Sequence, residues 1–279
     1  MVTHTGTVTA APQDDAVPAF DRATAVVRAD DGRLAAELDP GWEVGDGILN
    51  GGYLLAVLAR AALLESPHPH PVAVSASYLQ ASTGGPATVA LTPGPAGRTL
   101  AHATAVLTTA TGTALTAQIT TATLTAGDAE YSTNPVPPAP PPEECLAAPA
   151  EGGLSLPGLH RRLDVRMDPA TAGWAIGKPS GEPVLRAWMR LTDGREPDPM
   201  ALLLFADALP PTSFGLGRLG WAPTVQLQVL VRALPAPGWV LVEARSSELA
   251  GGWTDEEYRI WDSTGRLVAQ SRQLARLPR

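Results

Sequence analysis

Residues 54–64, Leu-Leu-Ala-Val-Leu-Ala-Arg-Ala-Ala-Leu-Leu, are apolar on nearly every face of a helix. Such a run predicts a buried helix rather than a surface one. Asn50, just ahead of Gly51-Gly52-Tyr53, is placed to cap its start, and Pro67 and Pro69 end it. Upstream, residues 23–28 and 33–38 flank Asp30-Asp31-Gly32, a hairpin signal, and a glycine-rich loop follows over residues 41–47. Downstream, residues 71–79, 87–93, 99–109 and 113–124 are strand-like, with Thr or Val recurring at alternating positions. With Gly84-Gly85, Gly94-Pro95 and Thr111-Gly112 read as turns, these four runs predict an antiparallel meander. One apolar helix followed by several strands implies a sheet wrapped around a central helix.

The same plan recurs. Strand-like runs at residues 163–167 and 183–191 lead to an apolar stretch over residues 199–211, where Leu202, Leu203, Leu204 and Phe205 wrap nearly all sides of a short helix. Strand patterns return at residues 223–231, 239–247, 254–261 and 267–274. Thr111-Gly112 precedes Leu115-Thr116-Ala117-Gln118, and Thr264-Gly265 precedes Leu267-Val268-Ala269-Gln270, with one residue of slip. The shared element order and this local similarity point to an internal duplication. Between the halves, the proline run of residues 135–142 is a semi-rigid connector that cannot form a packed core. The expected division is a disordered leader over residues 1–19, a first repeat over 20–126, a Pro-rich linker over 127–155 and a second repeat over 156–279.

The leader has neither a basic start nor an apolar segment, so it does not read as a secretory signal. No apolar run approaches the roughly 20 residues of a membrane span. The formal charge of −8 argues against nucleic acid and anionic membrane as partners. Lys178 is the only lysine, which reads as high-GC bacterial codon usage rather than function. A single cysteine, Cys145, allows no internal disulfide and suits a reducing, cytoplasmic setting. Its Pro-Pro-Glu-Glu-Cys context is that of a linker, not of an activated nucleophile.

Several chemistries fail on context. Gly215-Leu216-Gly217-Arg218-Leu219-Gly220 matches a dinucleotide pattern, but Trp221-Ala222-Pro223 follows it and no helix opens there. His68 and His70 share a His-Pro-His-Pro turn without a third ligand, and a solvated turn is expected. No nucleophile elbow precedes a helix. What remains is Asp207, one carboxylate in the apolar run of residues 199–211. Buried, it needs partners or a raised pKa; at a frayed helix end it would face solvent. Thr224 and Gln273, on two other elements, could join it in holding one water. Read alone, Thr224 is an ordinary β-former and Gln273 a solvent-facing strand residue.

Taken together, Asn50-Gly51-Gly52-Tyr53, Ala206-Asp207, Pro223-Thr224-Val225 and the segment from Gly265 to Gln273 resemble the double-hotdog acyl-CoA thioesterases, the type II family and its actinobacterial branch. The resemblance spans residues 20–124 and 163–279. It implies an α+β double hotdog, two tandem repeats, each an antiparallel sheet around a helix. It also implies hydrolysis of acyl-CoA or another acyl thioester without metal or redox cofactor. In that family an Asp on the second helix, a Thr on the following strand and a Gln on the final strand orient the hydrolytic water. Asp207, Thr224 and Gln273 match those positions. Asn50, Gly51, Gly52 and Tyr53 match the family's helix start, where the Gly52 N–H would polarise the thioester carbonyl. Gly51-Gly52 could equally serve close packing alone. The family also implies a homodimer or higher homo-oligomer. Here the chain departs from the pattern with Ala208-Leu209-Pro210-Pro211 after the Asp and an unusually proline-rich linker, which bears on substrate and loop shape. Two alternatives share the fold: a hotdog dehydratase or hydratase, which needs a His–Asp pair, and a non-catalytic acyl-binding or biosynthetic-pathway protein.

Overall fold

A computed structural model describes residues 17–147 and 157–277. The N-terminal half runs α1 (Ala19–Ala23), β1 (Val26–Arg28), β2 (Leu34–Leu38), β3 (Glu43–Gly45), β4 (Ile48–Leu49), α2 (Gly51–Glu65), β5 (His70–Tyr78), β6 (Gly85–Ala96), β7 (Leu100–Thr109) and β8 (Gly112–Ala122). The C-terminal half runs β9 (Leu146–Ala147), α3 (Gly158–Arg162), β10 (Leu163–Met167), β11 (Val184–Leu191), α4 (Pro199–Phe205), β12 (Thr224–Val231), β13 (Val240–Arg245), β14 (Leu249–Ala250), β15 (Trp253–Trp261) and β16 (Leu267–Arg276).

Apart from the β3–β4 pair, the strands form one antiparallel sheet in the order β1-β2-β6-β7-β8-β5-β12-β16-β15-β13-β11-β10-β9, with β14 on β15. The order reads the same outward from its centre: β5, β8, β7, β6, β2 on one side and β12, β16, β15, β13, β11 on the other. The chain is therefore a double hotdog, and the duplication is visible in topology. The two similar segments noted above open β8 and β16, equivalent strands. At the seam β5 pairs with β12, Ser75 opposite Gln228 and Ala76 opposite Leu227.

Strand alternation puts Leu115, Ala117 and Ile119 of β8 on the buried face, with Gln118 outward. Those inward faces curl around α2, which is buried from Gly52 through Ala59 and again at Ala61 and Ala62. Asn50 caps α2 by accepting the Tyr53 N–H at 2.9 Å. Arg195 pairs with Asp21 of α1 and with Asp198, the cap of α4, which ties the second helix to the first half.

Four expectations are corrected. Gly94-Pro95 lies inside β6, where the register shifts between Pro93 and Ala96, and the chain turns at Gly97, whose N–H reaches Leu100 O at 2.8 Å. A bulge absorbs the prolines without ending the strand. The His68–His70 turn is not simply solvated: His68 is buried with its Nε2 2.9 Å from Gly97 O, and the Nδ1 of half-buried His70 accepts the Leu124 N–H at 3.0 Å. The proline run packs rather than merely connects. Pro138 O and Pro140 O accept from Arg186 Nη1 and Trp188 Nε1, each at 2.8 Å, and β9 pairs with β10. Cys145 is buried there, and burial raises its thiol pKa. Finally, α4 ends at Phe205 with Ala206 as its cap, so Asp207 follows the helix. Residues 1–16 of the expected leader and 148–155 of the expected linker lie outside the described residues.

Candidate active site

The N-terminus of α2 meets the C-terminal end of α4. Gly52 makes that approach possible: a Cβ there would stand 2.6 Å from Leu203 O and 2.9 Å from Leu204 O. Only hydrogen fits, so the two backbones close on each other. The crossing sets Asp207 against the first turn of α2.

Oδ2 of Asp207 accepts the Gly52 N–H at 3.0 Å and the Asn50 Nδ2–H at 3.3 Å, and Asn50 Nδ2 also donates to the Asp207 carbonyl at 2.7 Å. Burial pushes the Asp207 carboxyl up to about 7, against the pull of the Gly52 N–H, and Glu256 raises it further. A carboxylate poised near neutrality can take a proton and return it.

Thr224 opens β12 and donates to Gln273 Oε1 on β16 at 2.9 Å. Gln273, 6% exposed, faces inward rather than to solvent, and its Nε2 donates to Glu256 Oε2 at 2.7 Å. Glu256 Oε1 takes both the N–H and the hydroxyl of Thr212, at 2.8 and 2.9 Å. Burial raises the Glu256 pKa as well. Tyr78 donates to Gly51 O at 2.8 Å from the other side.

These groups line a cavity of about 570 Å³ whose apolar walls include Leu49, Leu54, Leu79, Leu209, Phe214 and Trp221. Asn50, Gly51, Asp207, Thr224 and Gln273 all reach it. Residues 215–220, the failed dinucleotide match, end at its rim with Gly220. Among the described residues no cluster of His, Cys, Asp or Glu is placed to hold a metal, and no helix is long and apolar enough to cross a membrane.

Two expected site residues differ. Tyr53 is wholly buried away from the cavity, stacked on Trp42 at 5.6 Å. Its hydroxyl donates to Ala23 O at 2.8 Å and accepts the Asp39 N–H at 3.0 Å, so it is a core residue. The Gly52 N–H is already committed to Asp207 and holds the carboxylate rather than standing free for a carbonyl. Sequence reasoning missed Glu256 and Tyr78. The signal for Glu256 was its phase in residues 253–261, inward with Thr254, Tyr258 and Ile260.

A model of acyl-CoA thioesterase N-terminal domains matches residues 38–126, and one of the C-terminal domains matches residues 142–277. The chain belongs to the acyl-CoA thioesterase family. An uncharacterized protein of Mycobacterium tuberculosis is 35% identical over 270 residues, covering 87% of this chain and 90% of that one. A crystal structure from Thermobifida fusca, provisionally assigned as a thioesterase II, superposes with a TM-score of 0.86 at 38% identity, over 94% of this chain and 98% of that one. An acyl-CoA thioesterase II from Mycobacterium marinum shares the fold at 15% identity, TM-score 0.70, over 93% and 98% of the two chains.

Proposed function

We propose that this family member hydrolyses acyl-CoA thioesters to a free acid and CoA. A water positioned by Thr224 and, through its bond to Thr224, by Gln273 attacks the thioester carbonyl carbon as Asp207 takes one of its protons. Gly51 is the glycine of the pair that lines the cavity, and its N–H at the start of α2 polarises the carbonyl. The tetrahedral intermediate then collapses, the C–S bond breaks, and the sulfur leaves with the proton returned by Asp207. The acyl chain occupies the apolar cavity. The single observation that carries this reading is a buried carboxyl, Asp207, anchored on the N-terminus of α2 and sharing one cavity with the Thr224–Gln273 pair. A reducing cytoplasm, in a bacterium, is the setting proposed with it, and a homodimer or higher homo-oligomer the proposed assembly.

The dehydratase alternative needs a His–Asp pair. His160 lines the cavity, yet its Nδ1 is buried without a hydrogen-bond partner, and among the described residues no carboxylate pairs with it. A panel of acyl-CoAs with thiol detection tests the proposal. The wild-type chain should release thiol and Asp207→Ala should lose ~10²–10⁴ of that rate. Tight acyl-CoA binding without thiol release by the wild type would instead favour the acyl-binding alternative.

A further inference from the structure

Glu256 is a buried carboxylate at the cavity that the reaction just described leaves unused. It stands directly opposite Gln273 in the β15–β16 ladder and is 1% exposed. Three donors converge on it: the Thr212 N–H and hydroxyl on Oε1, and Gln273 Nε2 on Oε2. Ser246 and Thr254 continue the chain of hydroxyls behind Thr212, at 2.7 and 2.8 Å.

We infer that Glu256 is a positioning residue that sets the direction of the hydrogen-bond chain reaching the attacking water. This inference rests on the hydrolytic reading above. With Thr212 donating twice to Oε1 and Gln273 Nε2 donating to Oε2, Glu256 acts here only as an acceptor, and the group that Gln273 turns toward it is its NH₂. That turns the Gln273 carbonyl oxygen to Thr224, which spends its one hydroxyl proton there. The Thr224 oxygen then offers only lone pairs to the water. Two acceptors, Thr224 Oγ1 and the Asp207 carboxylate, hold both water protons, and the water's own lone pair is left for the carbonyl carbon. An uncharged donor in place of Glu256 reverses every link. Gln273 would present its NH₂ to Thr224, and Thr224 would donate to Asp207, competing for the lone pair that must take the water's proton.

The titratable groups facing Asp207 are Tyr78 from β5 and Glu256 and Tyr258 from β15; those facing Glu256 are Tyr258 and Asp207, while Asp255, next in the chain, acts on it from the other face of β15. Replacing Glu256 by an amide removes a like charge and adds a Thr224 donor. Both changes lower the Asp207 pKa.

The test compares wild type, Glu256→Gln, Thr224→Val and the double variant in kcat, KM and pH profile, with Glu256→Asp as the conservative rescue. Glu256→Gln should lose ~10-fold or more in kcat. Its KM should stay within about twofold, and its acid limb should move to lower pH. Glu256→Asp should restore much of the rate. In the Thr224→Val background the same change should cost little more, because the link it acts through is gone. A Glu256→Gln enzyme with wild-type kcat and an unmoved limb would overturn the inference, as would full additivity with Thr224→Val. A neutron structure of the wild type decides independently of activity and of how the variants fold. The Thr224 deuteron on the Gln273 side supports the inference, and a deuteron on the Asp207 side overturns it. Failure of the wild type to release thiol would sink the hydrolase reading instead.

Discussion

The Gly52 N–H donates to Oδ2 of Asp207 across 3.0 Å, joining the helix of one repeat to a carboxylate supplied by the other. Neither repeat alone contains both ends of this bond. The positive end of the α2 dipole favours the charged form of Asp207, yet burial outweighs it and leaves the group near neutrality. The opposition between these two effects gives the site its proton chemistry.

That balance has a pH signature. The base form of Asp207 grows as pH rises through about 7, so kcat/KM should climb with unit slope below that value and level off above it. Initial rates from pH 5 to 9 check this. A limb near pH 4 would mean that an ordinary, solvated carboxylate controls the rate.

Asp207 should also cost stability where it is ionised. Its folded pKa is about 7 against roughly 3.9 unfolded, so between those values the native state binds the extra proton and stability falls as pH rises. Asp207→Asn should therefore raise the melting temperature at pH 8, by the equivalent of ~1–3 kcal/mol, and change little at pH 4. Thermal melts at the two pH values check the sign.

Gly52→Ala drives a methyl group into backbone oxygens of α4 that cannot move aside. Overpacking of this kind costs about 1–3 kcal/mol or more, and here it also pushes Asp207 off its donor. Denaturant midpoints and thiol release should fall together.

Tyr53→Phe separates core from chemistry. It removes a buried hydroxyl with two backbone partners, so stability should drop by about 1–3 kcal/mol. With kcat measured alongside, turnover should stay near wild type. A large loss of kcat in a stably folded variant would return Tyr53 to the site.

Much of the fold was legible because the strong signals were local. A run apolar on nearly every face, with Asn50 ahead of it, reads as a buried, capped helix, and the alternation of Thr or Val marked most of the β5–β8 strands. Gly94-Pro95 misled because a bulge and a turn draw on the same residues. Tyr53 misled because it adjoins Gly51-Gly52 in sequence while α2 turns its side chain to Trp42 instead of the cavity. Glu256 stayed hidden within Asp255-Glu256-Glu257, an acidic run that reads as a solvated face. Its meaning depends on the ladder that sets it opposite Gln273, a relation between two strands rather than within one.

Single-turnover hydrolysis in H₂¹⁸O, with enzyme in excess over an acyl-CoA, distinguishes a base from a nucleophile at Asp207. With Asp207 as base, the first acid released carries one ¹⁸O and the Asp207 peptide stays unlabelled. Unlabelled acid with ¹⁸O in Asp207 would show attack by the carboxylate itself, and the water held between Asp207 and Thr224 would have no part in the reaction.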